Sequence, residues 1–183
     1  ALAHIEFVAI DLALDMAGRF GARMGPRFVG DFLEMAADEA MHFVMLDRRL
    51  RALGSHYGAL PAHGGLWESA HATRHDVAAR LAVVPMVLEA RGLDVMPLTI
   101  ERLRAADDPR SAAILVRILA DEVRHVRIGV DHFLRAARMA GSTPADLWKT
   151  LVARHFRGRI SGPFNASARD AAGLSPLFAP VVA

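Results

Sequence analysis

Two short segments, Asp38-Glu39-Ala40-Met41-His42 and Asp121-Glu122-Val123-Arg124-His125, share one pattern, and the residues around them repeat in step. Glu6 precedes Glu39 by 33 residues, and Glu89 precedes Glu122 by the same 33. Pro26 lies 20 residues after Glu6 and 13 before Glu39, and Pro109 lies 20 after Glu89 and 13 before Glu122. The chain reads as a degenerate two-fold repeat of a helical hairpin. On a helix, side chains three apart are neighbours with Cβ atoms about 5–6 Å apart, so each Glu-x-x-His presents a carboxylate and an imidazole to one point.

The helical reading rests on residue choice and spacing. Ala, Leu, Arg, Met and Glu dominate, apolar residues recur at three and four, and alternating strand runs and Asn-Gly turns are missing. A first helix is expected over about Leu2–Met24, ended by Gly25-Pro26, and a second from Pro26 to about Leu53. A Gly/His/Ser-rich loop follows over about Ser55–Ala72. Thr73 with Asp76 three residues on reads as the capped start of a third helix, kinked at Pro85 and reaching about Arg91. Gly92 is expected to interrupt it, and Pro97 to open a short helix to about Ala106. Asp108-Pro109 opens a long helix to about Ala140, and Pro144 a shorter one to about Phe156. The prediction is a single all-α domain over 1–183, with hairpins at about 2–53 and 73–140, an extra helix at about 143–156 and an irregular tail over 161–183.

The four glutamates stand in apolar stretches, such as Ile5-Glu6-Phe7-Val8 and Met86-Val87-Leu88-Glu89, so they are expected to point inward. At 1.5 Å rise per residue the lone Glu of each hairpin lies about 27 Å from its turn and the Glu-x-x-His about 20 Å. Loop residues and the break at Gly92 are expected to absorb the difference, letting the two face each other. Glu6, Glu39, His42, Glu89, Glu122 and His125 then form a donor set of four carboxylates and two imidazoles. Hard oxygens with imidazole suit two divalent ions, iron expected and manganese the alternative, and four negative charges balance two dications. Without metal, four buried carboxylates would be costly and would partly protonate. Asp38 and Asp121, each directly before a ligand glutamate, are expected to accept a hydrogen bond from a metal-bound His.

At these residues the sequence resembles the ferritin-like superfamily, with the Glu, Glu-x-x-His, Glu, Glu-x-x-His order of bacterioferritins and related oxidases. More narrowly, Ala3-His4-Ile5-Glu6, Asp38-Glu39-Ala40-Met41-His42-Phe43, Leu88-Glu89-Ala90-Arg91-Gly92-Leu93-Asp94, Asp121-Glu122-Val123-Arg124-His125-Val126 and the tail Pro163-Phe164-Asn165 with Ala168-Arg169 resemble an uncharacterised bacterial ferritin-like family, a domain of unknown function. Likeness to the di-iron tRNA hydroxylases is more distant. The resemblance implies a ferritin-like four-helix bundle, a crossover between the hairpins, and Glu39 and Glu122 as metal-bridging carboxylates. It also implies further sequence ahead of this point, which suits a chain that opens on Ala1 with only five residues before Glu6.

The function expected from resemblance and donor set together is a di-iron oxidoreductase that activates dioxygen to oxidise or hydroxylate an unidentified substrate, small molecule or macromolecule, with an electron donor if it hydroxylates. The rivals are a ferroxidase or iron-storage protein, a manganese catalase-like enzyme, and a bundle that binds metal only for stability. A homodimer is an allowed assembly. A tRNA substrate is a weak branch: of 22 basic residues 21 are Arg, yet the formal net charge is only +2 and no aromatic-and-basic motif accompanies them. The absence of cysteine excludes disulfides and thiolate metal sites. No apolar run approaches the roughly 18 residues of a membrane span, and no signal peptide is visible, so cytoplasm is the expected location and no membrane partner is expected.

Other residues have plainer readings. His56, His63, His71 and His75 read as loop residues, and His4, two before Glu6, faces away from it on a helix. Tyr57 sits in a loop, Trp67 and Trp148 read as packing anchors, and Met16, Met35, Met41, Met45 and Met86 as core filler. Arg91 and Arg124 neighbour the ligand positions and read as surface arginines.

Overall fold

The computed structural model describes residues 1–178; the last positions of the predicted tail, 179–183, lie outside the described residues. It is all-helical among them. α1 (Leu2–Met24) and α2 (Pro26–Ala52) form the first hairpin, joined by Gly25 alone. Gly25 takes φ 86°, which only glycine adopts cheaply, and Pro26 then starts α2 with the φ it already has. The second hairpin sets α4 (Val77–Val83), a π-helical segment (Val84–Glu89) and α5 (Ala90–Ala105) against α6 (Pro109–Met139). Asp108 caps α6 by accepting from the Ser111 amide. The remaining helices are α3 (Gly65–Ala72), α7 (Pro144–His155) and α8 (Ala166–Ala171).

Side-chain ladders fix the directions. From one end of α2 to the other, Arg49 meets Asp108 and Ser111, His42 meets Asp121, Asp38 meets His125, and Asp31 meets His132, so α2 and α6 are antiparallel. Asp15 of α1 meets Arg80 of α4, while Leu2 and Glu6 share a cavity with Met96 and Glu89, so these limbs are antiparallel too. It follows that α2 and the α4–α5 limb run parallel, and that residues 53–76 cross the length of the molecule. α3 lies on this crossover, where Leu66 and Ala70 pack with Val8, Leu12 and Val84. The loop expected over 55–72 therefore holds a helix.

Several predicted boundaries move for identifiable reasons. Thr73 does not cap the third helix. Asp76 does, accepting from the Ala78 and Ala79 amides, while the Thr73 hydroxyl donates to Ser69 O and accepts from Arg80 Nε. Pro85 is absorbed by the π segment rather than by a simple kink. Gly92 and Pro97 both lie inside a continuous α5. Pro97 cannot donate to the carbonyl of Leu93 four residues back; the tail supplies the donor, with Asn165 Nδ2 3.1 Å from Leu93 O. Arg169 adds a two-pronged pair to buried Asp94, at 2.9 and 2.7 Å. So the tail, expected to be irregular, docks through α8. Trp148 is buried as an anchor, but Trp67 is 47% exposed, and Met41 is 37% exposed rather than core.

Besides the small cluster under α3, two larger apolar clusters occupy the interior. One gathers Phe28, Phe32, Met35, Met86, Val126 and Phe133; the other gathers Met96, Ile100, Leu115 and Ile118. On α6 the first begins just past Glu122 and the second ends before it, so the buried polar residues lie at the seam between them.

Candidate metal centre

Each of the four long limbs delivers a donor to that seam. Glu6 comes from α1, Glu39 and His42 from α2, Glu89 from the last position of the π segment, and Glu122 and His125 from α6. Glu6, Glu39, His42, Glu122 and His125 are all buried, His42 and His125 at 0% exposure. One ligand atom from each of Glu6, Glu39, His42 and Glu122 lies within 4.8 Å of the others. His42 Nδ1 is 3.3 Å from Glu6 Oε2, 3.4 Å from Glu39 Oε2 and 4.0 Å from Glu122 Oε1. His125 Nδ1 is 3.0 Å from Glu39 Oε1 and 3.6 Å from Glu122 Oε1. Glu39 thus turns one oxygen toward each imidazole, and the rings themselves are 5.8 Å apart. Glu89 lines the same cavity as Glu6, Glu39 and Glu122.

Four sealed atoms here have no hydrogen-bond partner: His42 Nδ1, His125 Nδ1, Glu39 Oε2 and Glu89 Oε2. Buried polar atoms are nearly always paired, because leaving one unmet costs about 1–3 kcal/mol. Four orphans in one place, each able to offer a lone pair to a cation once any proton on it is displaced, fit cations.

The imidazoles are held from behind, and the arrangement is crossed. His42 Nε2–H donates to Asp121 on the opposite hairpin at 3.0 Å, and His125 Nε2–H donates to Asp38 at 3.1 Å. A carboxylate can only accept, so Nε2 of each ring carries a proton, and Nδ1, which faces the glutamates, is the atom that can bind a cation once its own proton is displaced. Arg117 and Arg124 pair in turn with Asp121 and Asp38.

Protonation reflects the crowding. Burial, helped by neighbouring carboxylates, pushes Glu6 and Glu89 up to about 8 and raises Glu122. Burial also opposes charge on Glu39, but the His125 and His42 imidazoles beside it prevail and hold it at about 2. Burial opposes charge on the imidazoles as well, yet their carboxylate partners lift His42 to about 10 and His125 to about 11. Protons here hold together carboxylates that would otherwise repel one another.

The remaining histidines and the tyrosine lie elsewhere. His4 Nδ1 is 2.9 Å from the Tyr57 hydroxyl, and Tyr57 packs on Phe7 and Phe43. Arg91 donates to Ser161 O, and Arg124 reaches Asp38 and Glu34. Sequence reasoning missed His132, buried on α6 and 2.7 Å from Asp31. The signal was present: His132 and Asp31 stand seven residues from His125 and Asp38, two helical turns along the same interface. It also missed Arg80, whose side chain is 1% exposed and binds Asp15 at 2.7 Å, Thr73 at 2.9 Å and Ala70 O at 2.6 Å.

A family profile described as "Protein of unknown function (DUF455)" matches residues 1–179. A protein of Haemophilus influenzae described as "Uncharacterized protein" is 40% identical over 181 residues, covering 96% of this chain and 63% of its own length. The chain therefore spans less than two thirds of that relative. No solved structure matches significantly. Among the described residues, no helix is long and apolar enough to cross a membrane.

Proposed function

The chain belongs to the DUF455 family, whose function is unknown, and we propose that it is a ferritin-like, dinuclear-metal oxidoreductase that activates dioxygen to oxidise or hydroxylate a substrate held beside the centre. The observation that carries the reading is the set of four unpartnered, sealed donor atoms where the limbs meet. The two helix directions and the single long crossover favour a ferritin-like connection as well. Glu6, Glu39, His42, Glu89, Glu122 and His125 would hold two divalent ions, and the carboxylates with imidazole favour iron, then manganese. A ferrous pair there would supply the electrons and open coordination positions that dioxygen chemistry requires.

The chain's own residues have definite tasks. Glu39, with an oxygen toward each imidazole, and Glu122, near both rings, would be the carboxylates shared between the two ions. Asp121 and Asp38 fix the tautomers of His42 and His125 and tie the hairpins together. Burial holds Glu6 and Glu89 up at about 8 and raises Glu122, so binding of cations would displace protons and affinity would rise with pH.

The test is ferrous loading without oxygen, metal quantitation, then absorption and oxygen consumption on mixing with oxygen. Two irons per chain and consumption faster than free iron are expected, both lost in Glu122→Ala with its helical circular dichroism retained. Failure of the folded protein to bind iron or manganese would end the proposal. Binding without oxygen consumption would leave a structural metal. A very large particle on size-exclusion chromatography would point to storage, and peroxide turnover by the manganese form to a catalase.

A further inference from the structure

Four carboxylates of the centre are reached from one side, through a cavity of about 170 Å³ between α1 and α5. Apart from those carboxylates its wall is nearly all apolar, including Ile5, Ala9, Leu88, Val95 and Leu115. Glu89 Oε2, sealed and unpartnered, is one of the atoms left over at this wall. At the mouth stands a single cation, Arg91, exposed and held by one hydrogen bond to Ser161 O at 2.8 Å. Leu88 and Arg91 also line a second cavity of about 110 Å³ against the tail, where Arg159 adds positive charge. The first cavity is well under the ~300 Å³ at which drug-sized pockets begin, so the occupant is small.

We propose that this cavity is the substrate site, and that it takes a small aliphatic acid whose hydrocarbon end points at the metal centre and whose carboxylate is met by Arg91. The assignment rests on the metal-centre reading. Once its carboxylates are taken up by cations, the inner end of the cavity is neutral and walled by apolar side chains, whereas the mouth offers a guanidinium; this polarity orients the ligand tail-first. Gly92 keeps the space open. A Cβ there would meet only Met96 Cε, at 3.4 Å, so a larger side chain fits the fold while filling the cavity.

The experiment uses hexanoate, with hexan-1-ol as its neutral counterpart, and the protein loaded with manganese(II). Paramagnetic broadening of the hexanoate NMR lines should be strongest at the terminal methyl. Arg91→Gln should weaken hexanoate roughly five- to tenfold, the scale of one charge-assisted contact, and leave hexanol unchanged. Gly92→Leu and Ala9→Leu should abolish binding of both while manganese content stays at the wild-type value. Strongest broadening beside the carboxylate would mean that the acid ligates metal head-first and would overturn the proposal. So would hexanol binding as tightly as hexanoate, or wild-type binding by both cavity-filling variants. If the protein takes up no manganese, the metal-centre reading fails by itself; saturation-transfer NMR on the same variants without metal then decides the cavity separately.

Discussion

Gly129 sits one helical turn beyond His125 on α6, where the π segment crosses closest. A Cβ built on it would lie 2.3 Å from Pro85 Cβ and 2.6 Å from Pro85 Cγ. Carbon atoms pack at about 3.5–4.0 Å, so Gly129→Ala requires the π segment and α6 to separate by somewhat more than 1 Å. Pro85 is a rigid ring and cannot swing aside. Overpacking of this kind costs about 1–3 kcal/mol, and the rigidity of the ring argues for the upper end. Replacing a helical glycine returns about 1 kcal/mol of propensity. The net loss is about 2 kcal/mol, or a fall in Tm of about 4–8 °C for a domain of this size. Gly18 and Gly30 provide the matched control, since a Cβ at either meets nothing within 4 Å. Gly30→Ala should therefore raise Tm by a few degrees. The site should feel Gly129→Ala too, because Glu89 ends the displaced segment and a shift of about 1 Å is large on the scale of a metal–ligand bond. We expect weaker metal binding in Gly129→Ala and unaltered binding in Gly30→Ala, read by thermal melts and equilibrium dialysis. If Gly129→Ala melts at or above wild type, the close approach is not what sets the position of this limb.

Three further outcomes follow from other contacts. Asp15→Ala leaves buried Arg80 without its carboxylate and should cost about 3 kcal/mol in urea unfolding. Burial opposes charge on Asp15, but Arg19 and Arg80 hold its pKa below the ordinary value; the stabilisation is therefore full above pH ~4 and is lost as pH falls through the depressed folded value, so the gap between variant and wild type should close in acid. Asp38→Asn should weaken metal binding about 10–100-fold, and proton NMR should show the disturbance at His125 on the other hairpin rather than at His42. Asn165→Ala leaves Leu93 O unmet and should cost about 1–3 kcal/mol, with faster proteolytic cleavage of the tail as the local readout.

What the sequence made legible was whatever a helix repeats locally. The six donors stand out because the 33-residue spacing and the two hairpin-opening prolines survive any detail of packing. The crossing of the His–Asp pairs is a different matter. Asp38 is one residue from Glu39 but 87 from its partner His125, and only the antiparallel register of α2 against α6 decides which imidazole it serves. Thr73 and Asp76 are both good caps by type; the choice fell to Asp76 because Arg80, folded back under the crossover, occupies the Thr73 hydroxyl. α3 and α8, at 8 and 6 residues, are too short to show a period and exist because they cover something.

The second limb shows the same division most sharply. Read locally, Pro85, Gly92 and Pro97 are three breaks. The structure spends them differently: Pro85 becomes a π segment that needs the bare face of Gly129, Gly92 leaves room for a cavity, and Pro97 keeps its helix because Asn165, 68 residues on, donates to the carbonyl it abandons. From the sequence, loop residues and a break at Gly92 are expected to absorb the difference in depth between Glu89 and Glu122. The irregular turn lies instead directly before Glu89, so the carboxylate is carried on the segment whose pitch departs from the rest of the limb. Deleting the carboxylate alone, as Glu89→Ala, keeps the pitch of the segment and takes one oxygen donor away from the seam. If that variant left metal stoichiometry unchanged, Glu89 would not belong to the donor set.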